Sequence, residues 1–299
     1  FRIDDAPGRY NVFAKNCFPR NLTLDGVKIV IDAANGAGYR VGPEVLEELG
    51  ASVTRIACEP DGENINRGCG AMHPERLQEK VRESGAHLGI ALDGDADRCL
   101  LVDETGELVD GDQILGIAAR ELSRAKALAH DTVVATVMSN LGLEVALREL
   151  GIALRRTPVG DRYVVEEMVR GGYNLGGEQS GHVLFLDHNT TGDGLITALA
   201  ILAIMAETWR PLSELARVMT RYPQVLINVP IRERRDVNGE GRVASAIADV
   251  EHALGERGRV LVRPSGTEAL IRVMVEGERE DDVKSHAEAI AAAIREVAA

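Results

Sequence analysis

The feature that most constrains this chain is a unit it contains twice. Residues 28–32, KIVID, read as an apolar strand, Asn35–Gly38 as a turn, Pro43–Leu49 as a helix stopped by Gly50, and residues 52–56, SVTRI, as a second strand. The same order returns with a strand over Thr132–Val137, a turn at Ser139 and Asn140, a helix over Leu141–Leu150, then Gly151 and a strand over Ala153–Arg156. A strand, a helix and a strand in that order close only when the helix lies on a sheet face. The repeat therefore predicts two similar three-layer α/β domains with mixed sheets. A third pattern begins near Val225, with strand VLINV, a helix over Val243–Leu254, strands RVLVR and LIRVMVE and a helix over Asp281–Val297, and predicts a smaller α+β C-terminal domain. Boundaries are expected near Gly111 and Tyr222, giving domains at 21–111, 112–222 and 223–299. Ahead of them, Tyr10, Phe13, Ala14 and Cys17 stand at helical spacing before Pro19, so residues 1–20 read as a helix with little before it to pack against, the tail of something further.

Charge and cysteine usage exclude several function classes. The chain has 34 Lys and Arg against 47 Asp and Glu, a net −13, which repels nucleic-acid backbones and anionic membranes, and no basic patch offsets it. Neither nucleic acid nor membrane is an expected partner. Cys17, Cys58, Cys69 and Cys99 form no C-x-x-C pair, so a disulfide framework or zinc site is not expected and a reducing, cytoplasmic setting is. The longest near-apolar run, Leu195–Ala206, falls short of the ~20 residues that span a bilayer and reads as a buried helix. The sequence starts at Phe1 with neither a basic nor an apolar leader region, and residues upstream of it are expected.

The sharpest motif is Asp93-Gly94-Asp95-Ala96-Asp97-Arg98, between apolar strands HLGIAL and CLLV. Three carboxylates within five residues repel one another, and a hard divalent cation, Mg²⁺ above all, would neutralise them through oxygen ligands. A solvated acidic turn is the plain alternative. An EF-hand fails because Arg98 stands where glycine is needed and strands flank the loop. A phosphatase using Asp93 as nucleophile remains a rival, although Asp97 occupies a position where Thr or Val belongs in that motif. Arg98 either steadies the loop or grips a phosphate oxygen beside the metal.

Arg263-Pro264-Ser265-Gly266-Thr267-Glu268, with Arg272 in the next strand, supplies a guanidinium pair, two hydroxyls and a glycine, the parts of an anion cradle, or else a plain β-turn. Gly177-Glu178-Gln179-Ser180-Gly181-His182 carries a carboxylate, an amide and a hydroxyl suited to sugar hydroxyls. Ser180 is no hydrolase nucleophile elbow, since Glu178 and His182 stand where glycines are required. Gly36-Ala37-Gly38 lacks the third glycine of a dinucleotide fingerprint, and no Walker-type phosphate loop occurs. The irregular stretch Glu59–Met72 is of a length that is either functional or floppy.

In order and wording, D-G-D-A-D-R, G-D-R-Y-V at Gly160–Val164, G-E-Q-S-G-H, T-T-G-D-G at Thr190–Gly194 and R-P-S-G-T-E with Arg272 resemble the α-D-phosphohexomutases over essentially the whole chain. The resemblance implies four domains around one cleft, of which this chain holds the second, third and fourth and the last helix of the first. It implies that Asp93, Asp95 and Asp97 hold Mg²⁺, that Arg98 contacts a phosphoserine, and that Glu178 and Ser180 bind sugar hydroxyls with His182 beside them. Arg263, Ser265, Gly266, Thr267 and Arg272 would seat the phosphate that is not transferred. Gln179 and Gly160-Asp161-Arg162 resemble the glucosamine branch more than the phosphomannomutase branch, where Met follows Glu. The implied activity interconverts glucosamine 6-phosphate and glucosamine 1-phosphate through a bisphosphate, feeding UDP-N-acetylglucosamine and cell-wall synthesis, with a homodimer as the oligomeric expectation. A phosphomannomutase or phosphoglucomutase and a non-catalytic sugar-phosphate binding module are the alternatives. Two departures stand out. No T-A-S-H-N-P-type serine loop occurs in these 299 residues, so the chain is expected to be inactive alone, and Ala269 replaces a proline common in the family.

Overall fold

The computed structural model describes residues 5–232, 237, 239–265 and 268–298. They fall into two compact units, one within Phe1–Ser139 and Leu143–Met219, the other within Asn140–Gly142 and Thr220–Ala299.

The larger unit opens with helix α1 (Ala6–Asn16), then β1 (Lys28–Asp32), α2 (Val41–Glu48), β2 (Ser52–Ile56), α3 (Glu75–Ser84), β3 (Leu88–Leu92), β4 (Cys99–Asp103) and β5 (Leu108–Val109). Helix α4 (Gly111–Arg124) leads into β6 (Thr132–Thr136), α5 (Leu141–Glu149), β7 (Ala153–Thr157), α6 (Asp161–Gly171), β8 (Leu175–Gly177), β9 (Val183–Phe185), α7 (Gly194–Thr208) and α8 (Leu212–Leu215). The first sheet has the order β2-β1-β3-β4-β5 and the second β7-β6-β8-β9. In each, the first three strands run parallel and the next is antiparallel. The repeat read from sequence is therefore a repeat of topology, and β3-loop-β4 corresponds to β8-loop-β9.

Side-chain alternation explains how both sheets are covered. Ile29 and Ile31 of β1, Ile90 and Leu92 of β3 and Cys99 and Leu101 of β4 enter one large core. Their neighbours Val30, Ala91, Leu100 and Val102 point to the other face, where Leu77 and Val81 of α3 cover them. In the second sheet Val133 and Ala135 join the large core, while Val134 meets Val164 and Met168 of α6. The two sheets thus share one inner layer. Helix α7 runs within it, packed on β3, β4, β9 and α4, which is why its sequence is apolar nearly all round. No single helix among the described residues is long and apolar enough to cross a membrane.

Helix α1 differs in detail from its sequence reading. It ends at Asn16, ahead of Pro19, and buries Asn11 and Ala14, whereas Phe13 is 38% exposed. The helix rests on α2, which follows it in the chain, and Asn11 Nδ2 donates to Glu44 Oε2 at 3.0 Å.

The smaller unit is a three-stranded antiparallel sheet, β10 (Gln224–Pro230), β12 (Leu270–Gly277) and β11 (Gly258–Pro264) in that order, with α9 (Gly241–Leu254) and α10 (Glu280–Ala298). Its core joins Val229, Val262, Ile271, Val273 and Val275 to Val283, Ile290 and Ile294 of α10. The α/β character of the larger unit and the α+β character of the smaller agree with the sequence reading.

Ile90 lies in the middle of the shared inner layer and is fully buried. Ile90→Ala is expected to lower unfolding free energy by about 2–4 kcal/mol in urea titrations. Val169→Ala, at a position 68% exposed, should stay within about 0.5 kcal/mol of the parent.

Candidate functional site

The acidic loop leaves the end of β3 as a tight turn. Ala96 N–H donates to Asp93 O at 3.1 Å, Arg98 N–H to Asp93 Oδ1 at 3.1 Å, and Ala37 N–H to Gly94 O at 2.8 Å. One carboxylate oxygen from each of Asp93, Asp95 and Asp97 lies within 4.8 Å of the others. Asp93 is buried, Asp97 half-buried and Asp95 exposed. Burial pushes the Asp93 carboxyl up to about 6, with the neighbouring charges of Asp97 and Asp95 acting in the same direction against the Arg98 N–H.

These residues suit a hard cation. The donor set is all oxygen, and Asp97 Oδ1 is buried without a hydrogen-bond partner, as a ligand atom awaiting a positive charge would be. Arg98 lies beside them, its Nε 3.6 Å from Asp93 Oδ2 and 3.7 Å from Asp97 Oδ1. Those distances are too long for hydrogen bonds, and the side chain is 40% exposed, leaving its outer nitrogens available to an anion.

The loop after β8 meets the acidic loop directly. Cys99 N–H donates to Gly181 O at 3.0 Å. Gly181 has φ +93°, and a Cβ there would stand 2.4 Å from Cys99 O, so only glycine allows the approach. His182 is buried, with Nδ1 3.1 Å from Asp97 Oδ2. Glu178 Oε1 accepts from Gly160 N–H at 3.0 Å, and Ser180 Oγ lies 3.4 Å from Glu178 Oε2. Of the sequence candidates, Asp93, Asp95, Asp97, Arg98, Glu178, Ser180 and His182 thus come together in the larger unit.

In the smaller unit Arg263 and Arg272 face each other across β11 and β12. Each has a buried Nε without a hydrogen-bond partner. Burial lowers the Arg263 guanidinium below its ordinary value and the Arg272 charge lowers it further. Two like charges in directly opposed positions destabilise a sheet, and an anion bound between them would relieve that. Ser265 is buried, its Oγ accepting from Glu268 N–H at 3.3 Å. Gly266 and Thr267 lie outside the described residues.

Sequence reasoning missed Asp193 and Tyr10. Asp193 caps α7 by accepting from Leu195 N–H and Ile196 N–H, both at 3.0 Å, and an Asp just before the apolar run was the available signal. Tyr10 Oη donates to Asp193 at 2.9 Å from a distant part of the chain, for which no local signal exists.

Comparison with known proteins gives three consecutive matches. Residues 9–106 match phosphoglucomutase/phosphomannomutase alpha/beta/alpha domain II, residues 110–222 domain III and residues 226–293 the C-terminal domain. The chain is 58% identical over 291 residues to the phosphoglucosamine mutase of Syntrophotalea carbinolica, covering 97% of this chain and 64% of that protein. It is also 58% identical to the phosphoglucosamine mutase of an Anaeromyxobacter species, covering 98% of this chain and 63% of that one. The chain therefore spans somewhat less than two thirds of these relatives' length. In fold it is similar to the Aspergillus fumigatus N-acetylphosphoglucosamine mutase solved with GlcNAc-6P and magnesium, with TM-score 0.80 and 22% identity over 99% of this chain and 67% of that one.

The Asp93 shift gives a stability prediction for the cation-free chain. A carboxyl raised to about 6 in the fold contributes stability in full below its unfolded value of about 4 and loses it as pH rises through about 6. Asp93→Asn is accordingly expected to stabilise by about 1–3 kcal/mol at neutral pH, with the gain vanishing toward pH about 4. Urea unfolding across that range measures it, and a loss at neutral pH contradicts the assignment.

Proposed function

This chain belongs to the phosphoglucomutase/phosphomannomutase family, and from that premise we propose that it is the larger part of a phosphoglucosamine mutase, interconverting glucosamine 6-phosphate and glucosamine 1-phosphate. The observation that carries the choice of hexosamine is the 58% identity to phosphoglucosamine mutases over nearly the whole chain. The domain scheme of 21–111, 112–222 and 223–299, with residues 1–20 as the last helix of a first domain, is part of the same proposal. So is a serine-bearing first domain, outside these 299 residues, that carries the transferable phosphoryl group. Four free cysteines fit a reducing cytoplasm.

In this reading Asp93, Asp95 and Asp97 hold Mg²⁺, which when bound supplies positive charge to a phosphoryl oxygen. Arg98 reaches past the carboxylates to the same phosphoryl group and orients it for in-line attack. Glu178 and Ser180 accept from and donate to sugar hydroxyls, and His182, buried against Asp97, keeps the two loops in register. Arg263 and Arg272, with Ser265, Gly266 and Thr267, seat the phosphate that stays on the sugar. Phosphoryl transfer from serine to the 6-phosphate substrate gives a 1,6-bisphosphate. Reversal of its orientation and return of the other phosphate to serine leave glucosamine 1-phosphate. Such a transfer needs positioning and charge neutralisation more than covalent help, which matches a site made of carboxylates, guanidinium groups and hydroxyls.

The purified chain, mixed with a fragment holding the first third of a relative, is expected to convert glucosamine 6-phosphate to glucosamine 1-phosphate, and the chain alone is not. Turnover by the chain alone, or a preference for mannose or glucose phosphates, contradicts the proposal. Metal-dependent phosphate release abolished by Asp93→Asn would favour a phosphatase instead. For the anion cradle, Arg263→Ala should weaken glucosamine 6-phosphate binding by about 1.5–3 kcal/mol in calorimetry. An unchanged Kd places the phosphate elsewhere.

A further inference from the structure

The acidic trio depends on a backbone turn that side chains seldom make. Ala96, between Asp95 and Asp97, has φ +62°, a left-handed conformation that is unfavourable for a residue with a side chain. Its carbonyl accepts from Gly194 N–H at 2.9 Å. Gly194 is the first residue of α7, and no side chain fits there, because a Cβ would stand 2.5 Å from Arg98 O. The residue before it, Asp193, caps the helix. Both Asp193 carboxylate oxygens lie 2.9 Å from the hydroxyl of Tyr10 on α1. Burial, and then the Asp193 charge, hold that phenol far above its ordinary value, so it remains a donor. Tyr10, Asp193, Asp95 and Asp97 also line one cavity of about 380 Å³, and the Tyr10 ring packs against the large core, which holds the hydroxyl where it meets Asp193.

We infer that Tyr10 is a positioning residue for the cation site: its hydroxyl fixes Asp193 and the start of α7, and Gly194 N–H there holds the left-handed Ala96 turn that spaces Asp95 and Asp97. The inference rests on the reading of the acidic trio as a metal site. It assigns to α1, which contributes no ligand, control over how well the ligands are arranged. Groups outside the ligand shell act this way by restricting the directions in which the first-shell oxygens point.

Mn²⁺ serves as the probe, titrated into the full 299-residue chain and followed by electron paramagnetic resonance, so that turnover is not needed. Tyr10→Phe keeps the ring and removes the hydroxyl, and it is expected to weaken Mn²⁺ binding by about three- to tenfold. Asp193→Ser still caps α7 but is too short to reach Tyr10, and should weaken it by a similar factor. The double variant should be no weaker than the weaker single one, because both remove the same link. Lys15→Ala removes the ion pair of α1 with Glu48 on α2 and should leave Mn²⁺ affinity unchanged. Parent-like binding by Tyr10→Phe, additive losses in the double variant, or an equal loss in Lys15→Ala each overturn the inference while leaving the metal site standing. Absence of Mn²⁺ binding by the parent, or binding indifferent to Asp95→Asn, overturns the metal reading and the inference with it.

Discussion

Mutual repulsion among three carboxylates at the end of a buried strand sets the terms for the larger unit. Charges about 5 Å apart at an effective dielectric near 20 repel by roughly 3 kcal/mol per pair, and here they are joined to a left-handed alanine. Nothing within the loop offsets both costs. Arg98 approaches two of the three acids only at ion-pair distance, and the N–H donated to Asp93 satisfies a single oxygen. The arrangement persists because β3 and β4, which carry the loop, are fully buried in a core shared by both sheets. The loop is held from outside, by the two buried strands that carry it.

Most of the fold was legible because period-two alternation and helical spacing are local properties. The strands at Lys28–Asp32 and Ser52–Ile56 carry the limits expected of them, and the helices differ by a residue or two at their ends. What periodicity does not specify is which of several apolar residues faces a neighbour. Phe13 fits the helical spacing of α1 yet lies half outside, because the contact with α2 is made through Asn11 to Glu44 and through Ala14. The single inner layer was equally hidden, since it results from two sheets closing on α7 and leaves no mark on either repeat.

The site was legible to the extent that its parts are contiguous. Asp93, Asp95 and Asp97 come from one turn, so spacing alone revealed them, and Arg263 with Arg272 became a facing pair through the register of two adjacent strands. Contacts between distant segments, His182 with Asp97, Glu178 with Gly160 and Tyr10 with Asp193, had no sequence signal because each depends on how separate elements pack. The connection Glu59–Met72 answers the question its length posed. Asp61 accepts from Glu63 and Asn64, Asn66 N–H donates to Ala34 O, and Ile65 and Asn66 lie against Gly94. It is an ordered brace on the acidic loop.

The repeated topology explains why two such different loops meet. The acidic loop joins β3 to β4 and the Glu178 loop joins β8 to β9, equivalent hairpins in sheets of equivalent order. Each leaves the carboxyl end of a strand flanked by a parallel neighbour, the place where α/β sheets leave room for ligands. One hairpin gathers carboxylates and the other gathers hydrogen-bonding groups around a glycine that permits Cys99 and Gly181 to touch. Both hairpins border the same buried helix, and His182 Nδ1, 3.1 Å from Asp97 Oδ2, joins one loop to the other. The two copies of one motif are thus joined at their loops, and Gly194 N–H, donating to Ala96 O, ties the acidic one to the start of α7.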